Sequence, residues 1–203
     1  MIEFLNETPL KEPLIFDTHA HYDDERFDEI RDKLLSTLTK NSVGAVISCG
    51  CDKKSSIKAL EMAEKYDNVY AAVGIHPCNI DSGTTIEEIE NLSKHNKCVA
   101  IGEIGLDYHY DEPDRKTQKE WFIKQLNLAK ELNTGLHIHL AETIDEETKI
   151  KSRYDKRSTE YLNDLDVFDV PVVLAHGIYV SDSDIEILKR IKGGISHNPI
   201  SNC

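Results

Sequence analysis

Short apolar runs rich in Val, Ile and Ala alternate with helical patterns along the whole chain. The first run covers residues 14–19 (LIFDTH), and Phe27, Ile30, Leu34 and Leu38 then recur at the three- and four-residue spacing of one helix face. Residues 45–50 (AVISCG) predict a second strand, with Ile57, Leu60 and Ala63 on the helix after it. Residues 69–76 (VYAAVGIH) predict a third, and its helix opens at Thr85 with Glu88 three positions on, a capping-box pattern. Residues 98–105 (CVAIGEIG) precede a longer helix bearing Phe122, Leu126, Ala129 and Leu132. Residues 136–141 (LHIHLA) give the fifth run. The polar stretch 142–156 then reads as a mobile active-site loop and the start of a helix, with a short helix around 161–165. Residues 172–176 (VVLAH) are the sixth run, before a helix capped by Ser181 and Asp184 that holds Ile185, Leu188 and Ile191. Residues 194–198 (GISHN) are the seventh.

Strands that are nearly continuous in apolar residues are buried on both faces, as in parallel sheets covered by helices. Strict alternation of strand and helix therefore predicts an α/β chain with a parallel sheet. Seven such steps without a Gly-rich phosphate loop favour a TIM-type (β/α)8 barrel over a doubly wound sheet. A complete barrel has eight strands and about 250 residues. The expectation is a single barrel domain over residues 1–203, truncated after its seventh strand. An open barrel exposes two strand edges, which invites self-association.

Composition narrows the class. The 203 residues carry 24 Lys and Arg against 37 Asp and Glu, a net charge of −13. A chain this acidic does not bind nucleic acid broadly through its surface, although bound cations would reverse the potential locally. No run approaches the roughly 18–20 apolar residues of a membrane helix, and the N-terminus has no secretory pattern, so a cytoplasmic protein without a membrane partner is expected. The five cysteines form no CxxC pair and read mainly as buried small hydrophobes. Cys49 and Cys51 share one face of a strand, which leaves a metal or redox role open.

The histidines carry the chemistry. Of nine, seven fall at or near the C-terminal end of a predicted strand: His19, His21, His76, His137, His139, His176 and His197. In a parallel barrel those ends share one mouth, where active sites are built. His19 and His21 form an H-x-H pair whose side chains point the same way. Glu103 ends the fourth strand and offers a carboxylate able to bridge two ions. His139 and His176 end the fifth and sixth. Such nitrogen and carboxylate donors suit Zn, Mn, Fe or Ni, and less readily Ca. A lone strand-end histidine is usually just hydrogen-bonded, but four such features at one end are hard to explain by packing. His137 reads as a donor behind the ligands, and His76 as a substrate or phosphate contact or a structural residue. His95 and His109 read as surface residues. No G-x-S-x-G, P-loop or dinucleotide fingerprint is present.

Four stretches, FDTHAH (16–21), GIHP (74–77), GEIGLDYHYDEPDRKTQKEWFIKQLNLAKEL (102–132) and the strand that follows, give residues 1–135 a resemblance to the TatD family of metal-dependent deoxyribonucleases. The resemblance implies a (β/α)8 barrel, one or two divalent ions (Mg included) and hydrolysis of phosphodiester bonds at DNA ends. It implies that His19 and His21 bind one metal, that Glu103 bridges, and that His139 and His176 complete the set.

Residues 136–203 are similar instead to amidohydrolase-superfamily deaminases of methylthioadenosine and S-adenosylhomocysteine. The stretches that carry this are HIHLAET (137–143), VVLAHGIYVSDSDIEIL (172–188) and SHNPISN (196–202). That resemblance implies a nucleoside-type small molecule as substrate, protonated by Glu142, with His176 shuttling protons. The family's further histidine three positions later is Tyr179 here, and too few residues precede the H-x-H for its β-sandwich. The chain thus reads as a hybrid joined near 133–139, a pattern that recombination, chimera construction or a divergent lineage would each give. Both families place an essential Asp at the end of strand eight, and none follows SHNPISN. The sequence therefore also admits a fragment or an inactive barrel.

Overall fold

The computed structural model describes residues 15–108 and 112–202. His109, Cys203 and the N-terminal stretch lie outside them. Among the described residues, seven parallel strands form one sheet in chain order: β1 (Ile15–Ala20), β2 (Val43–Cys49), β3 (Val69–Val73), β4 (Cys98–Ile104), β5 (Gly135–Leu140), β6 (Val172–His176) and β7 (Gly193–Ser196). The sheet curls into a nearly closed barrel in which β1 and β7 remain the two edges. The helices are α1 (Arg31–Ser36), α2 (Lys53–Lys65), α3 (Ile86–Ser93), α4 (Arg115–Leu132), α5 (Ile144–Tyr154), α6 (Ser158–Asp164) and α7 (Asp182–Leu188). None of the described helices is long and apolar enough to cross a membrane.

Alternation along the strands separates two cores. Leu136, Ile138 and Leu140 on β5, with Ala71 and Val73 on β3, join the large core that also contains Phe122, Leu126 and Ala129 of α4. Ile47, Cys49, Ala72 and Ala100 form a separate small cluster. The odd positions of β5, His137 and His139, fall on the face opposite its three core residues, toward the barrel interior. Two neighbouring strands approach closely there. A Cβ on Gly102 would lie 2.5 Å from His137 Cβ, so only glycine fits.

Several expectations change. The stretch 142–156 is not a loop, because α5 occupies most of it. Thr143 caps it by accepting from the Glu146 N–H, acidic residues fill its first turn, and Lys151 and Arg153 fill its last. Its polarity is that of a solvated helix face, with Ile150 turned inward. The first helical pattern is broken into a 3-10 turn (Glu25–Phe27), α1 and a second 3-10 turn (Thr39–Asn41), ended by Ser42 at φ 62°. Ile191 lies beyond the end of α7. β3 stops at Val73, because the backbone at Ile75 bonds to a side chain of α4 instead of a strand.

Candidate metal centre

The strand ends bring five of the predicted residues together. On β1, Ala20 packs into the large core, so its neighbours His19 and His21 face the mouth. His139 follows the same alternation on β5. Two others need irregular backbone. The β4–β5 register shifts between Ile101 and Ile104, a bulge that re-aims Glu103 inward. His176 shares the parity of Val172 and Leu174, which face the helices. It turns toward the mouth with φ 75°, a left-handed conformation costing a non-glycine residue about 1–3 kcal/mol.

Glu103 is the hub. It is 4% exposed. Its Oε2 lies 3.2 Å from His21 Nε2, and its Oε1 lies 2.6 Å from His139 Nε2 and 3.8 Å from His76 Nε2. Burial opposes its charge, yet the pairing with His139 and His21 outweighs burial and holds its carboxyl well below the usual range. Burial likewise opposes a charged His139, but Glu103 and Glu142 raise it to about 10. Burial dominates at His19, pushing it down to about 3, and at His137, pushed down to about 4.

Glu142 joins the two sides of the mouth. Its carboxylate lies 3.5 Å from His139 Nδ1 and 3.4 Å from His176 Nδ1. His76 has two roles at once. Its Nδ1 accepts from the Cys78 N–H and caps a 3-10 turn, while Nε2 faces Glu103. His137 is buried behind the group and donates from Nε2 to the Thr18 carbonyl at 2.8 Å. His197 is exposed past β7, outside the group, and His95 sits in a turn against Glu64.

Asn202 escaped sequence reasoning, and Cys49 and Cys51, whose spacing leaves a metal role open, both reach the group. His176 Nδ1 donates to Asn202 Oδ1 at 3.1 Å. Cys51 Sγ lies 3.7 Å from Glu103 Oε2, and Cys49 Sγ lies 3.8 Å from His19 Nδ1. The cysteines' place at the end of β2 was a usable signal. Asn202 follows the last strand and shows no periodicity that would have marked it.

The donor set fits a cation. With Nδ1 of His176 tied to Asn202, its Nε2 is left as a buried lone pair with no hydrogen-bond partner. One donor atom each from His19, His139 and His176 lies within 4.8 Å of the others, and the same holds for His19, His21 and Glu103. Beside these groups is a cavity of about 350 Å³ walled by Leu106, Tyr108, Ile138, Glu142, Ile150 and Tyr161. The cavity and α5 together place the expected loop region in the wall of the site.

A parallel barrel with imidazoles and a carboxylate gathered at the C-terminal mouth is the architecture of a metal-dependent hydrolase. The model of the family of TatD-related DNases matches residues 16–167, and the chain belongs to that family. It is 42% identical over 130 residues to the uncharacterized metal-dependent hydrolase YabD of Bacillus subtilis, covering 62% of this chain and 50% of that one. The crystal structure of YjjV, a TatD homologue from Escherichia coli, superposes with a TM-score of 0.71 at 26% identity, over 89% of this chain and 66% of that one. A 5-methylthioadenosine/S-adenosylhomocysteine deaminase of Thermoanaerobacter pseudethanolicus is 48% identical over 82 residues, 40% of this chain and 19% of that one. The chain spans about half the length of YabD, and less of the deaminase.

Proposed function

We propose that this chain carries the site of a hydrolase acting on phosphodiester bonds at DNA ends, with one or two divalent cations held by His19, His21, Glu103, His139 and His176. The observation that carries this reading is the buried Glu103 carboxylate reaching His21 at 3.2 Å and His139 at 2.6 Å, with His19 within reach of both donor groups. When bound, such a cation lowers the pKa of its water toward 7 and offsets charge developing on the attacked phosphate. Glu103 orients the imidazoles of His21 and His139 from opposite sides of the mouth. His76 presents Nε2 toward the same point and would contact a phosphate oxygen. Glu142, between His139 and His176, is placed to take up or return a proton. Incubation of the Mn- or Zn-loaded chain with end-labelled DNA should release nucleotides, and Glu103→Gln should abolish release. Undiminished release by Glu103→Gln would refute the assignment.

A second reading is favoured by one feature. Glu142 touches both His139 and His176 at the edge of the cavity, a volume suited to a single nucleoside-sized ligand. This supports deamination of an adenine-containing small molecule. Ammonia release from methylthioadenosine, lost in Glu142→Gln while DNA hydrolysis persists, would favour it.

A further inference from the structure

Behind the mouth, three side chains remain that the proposed hydrolase does not use together. Cys49 is fully buried at the end of β2, and its Sγ lies 3.8 Å from His19 Nδ1. The His137 ring stacks beside the His19 ring, with centroids 4.9 Å apart. His137 is wholly buried, and its Nε2–H donates to the Thr18 carbonyl, which keeps the ring proton on Nε2. In the neutral ring this leaves Nδ1 as a lone pair, and that atom has no hydrogen-bond partner. One donor atom from each of His19, Cys49 and His137 lies within 4.8 Å of the other two. Packing against Ile47, Ala72 and Ala100 accounts for a small buried Cys49. It does not account for an imidazole held in one tautomer with its free nitrogen buried and unanswered.

We propose that Cys49, His19 and His137 form a second, inner position for a thiophilic cation, on the barrel side of the His19 ring. One thiolate and two imidazoles suit Zn2+, Cd2+ or Cu+ and not Mg2+ or Ca2+. Bonds of about 2.3 Å to sulfur and about 2.0–2.1 Å to nitrogen would draw the three donors together. Cys49 releases its proton to solvent as the ion binds. The Thr18 carbonyl fixes the His137 ring from behind, as outer partners do for ligating histidines. His19 also belongs to both donor groups at the mouth, and its neutral ring offers a single lone pair. It therefore serves either the inner ion or an outer one, and holds both only after releasing its second ring proton to solvent. None of this depends on what the mouth hydrolyses.

The test uses the full chain loaded with Zn2+ or Co2+ alone. X-ray absorption of the zinc protein should show one sulfur scatterer at about 2.3 Å beside nitrogen or oxygen at about 2.0–2.1 Å. The cobalt protein should show a near-ultraviolet thiolate charge-transfer band that survives Cys51→Ser and disappears in Cys49→Ser. A zinc spectrum without sulfur, a band lost in Cys51→Ser but kept in Cys49→Ser, or failure to bind either ion would overturn the proposal. The absorption measurement needs no substitution, so a spectrum without sulfur overturns the proposal even if Cys49→Ser does not fold. Repeating it on Cys51→Ser assigns any sulfur scatterer to Cys49 or to the cysteine at the mouth. DNA hydrolysis and ammonia release are assayed separately, so their absence does not mimic either result.

Discussion

Asn202 Oδ1 accepts from His176 Nδ1 at 3.1 Å, which fixes the tautomer of that ring and leaves Nε2 as the free donor toward the mouth. Outer partners of this kind are typically worth about 10–100-fold in metal affinity. Asn202→Ala should therefore weaken Zn2+ binding by about 10-fold or more, measured by competition with a chelator. The unfolding midpoint of the metal-free protein should stay nearly unchanged, because Asn202 follows the last strand and contributes little burial.

One helix clamps two of the loops that build the mouth. Gln125 of α4 accepts from the Ile75 N–H at 2.7 Å and donates to the Ile75 carbonyl at 3.0 Å. Gln118, seven residues earlier, does the same for Asp107 at 2.9 Å and 2.8 Å. Gln125→Ala leaves two backbone groups unpaired in a buried place, each worth about 1–3 kcal/mol. A loss of about 2–4 kcal/mol in urea unfolding is expected. His76, the next residue, should also lose its fixed position, seen as a changed imidazole environment in NMR spectra.

The back half of the barrel depends on one cation. Arg157 pairs with Asp184 at 2.5 Å and with Glu147 at 3.1 Å, and both carboxylates are nearly inaccessible. Removing one partner of a buried pair costs about 3–5 kcal/mol, and the partial exposure of Arg157 lowers that to about 2–3 kcal/mol for Arg157→Ala. Burial raises the Asp184 pKa, but the Ser181 backbone and Arg157 outweigh it and hold the folded carboxyl below 3.8. Its stabilisation is complete above that unfolded value and lost as pH falls through the lower folded one. Arg157→Ala should therefore move the acid unfolding midpoint to higher pH, a shift that circular dichroism would follow.

Gly102→Ala and Gly194→Ala make a matched pair. The added carbon at 102 would stand 2.5 Å from His137 Cβ and 2.6 Å from its carbonyl oxygen, whereas at 194 nothing lies within 4 Å. The first should destabilise by about 3 kcal/mol or more and disturb metal binding, since Glu103 is its neighbour. The second should stay within about 0.5 kcal/mol. Equal stabilities would show that β4 and β5 do not approach as described.

Much of this was legible in residue order. The seven apolar runs fall on the seven strands, and β6 matches its expected residues, 172–176, at both ends. The capping boxes at Thr85 and Ser181 form as their spacing implied. His19, His21 and His139 reach the mouth through plain strand alternation. Glu103 and His176 were found as strand-end residues, but period-two alternation points both of them at the helices. A bulge and a left-handed residue bring them in, and neither has a pattern that periodicity detects. The stretch 142–156 failed for a different reason. A helix with few inward residues resembles a loop when only its polarity is counted.

β1 and the residue just after it carry two of the five gathered donors, yet β1 pairs as a strand with β2 alone. An ion shared by His19, His139 and His176 would tie this edge strand across the lumen to the fifth and sixth strands. Such an ion would act as a clasp on the seam between the first and last strands. Detachment of β1 and escape of the ion would then be one event, and amide exchange along β1 should slow in step with metal occupancy while exchange in β3 does not.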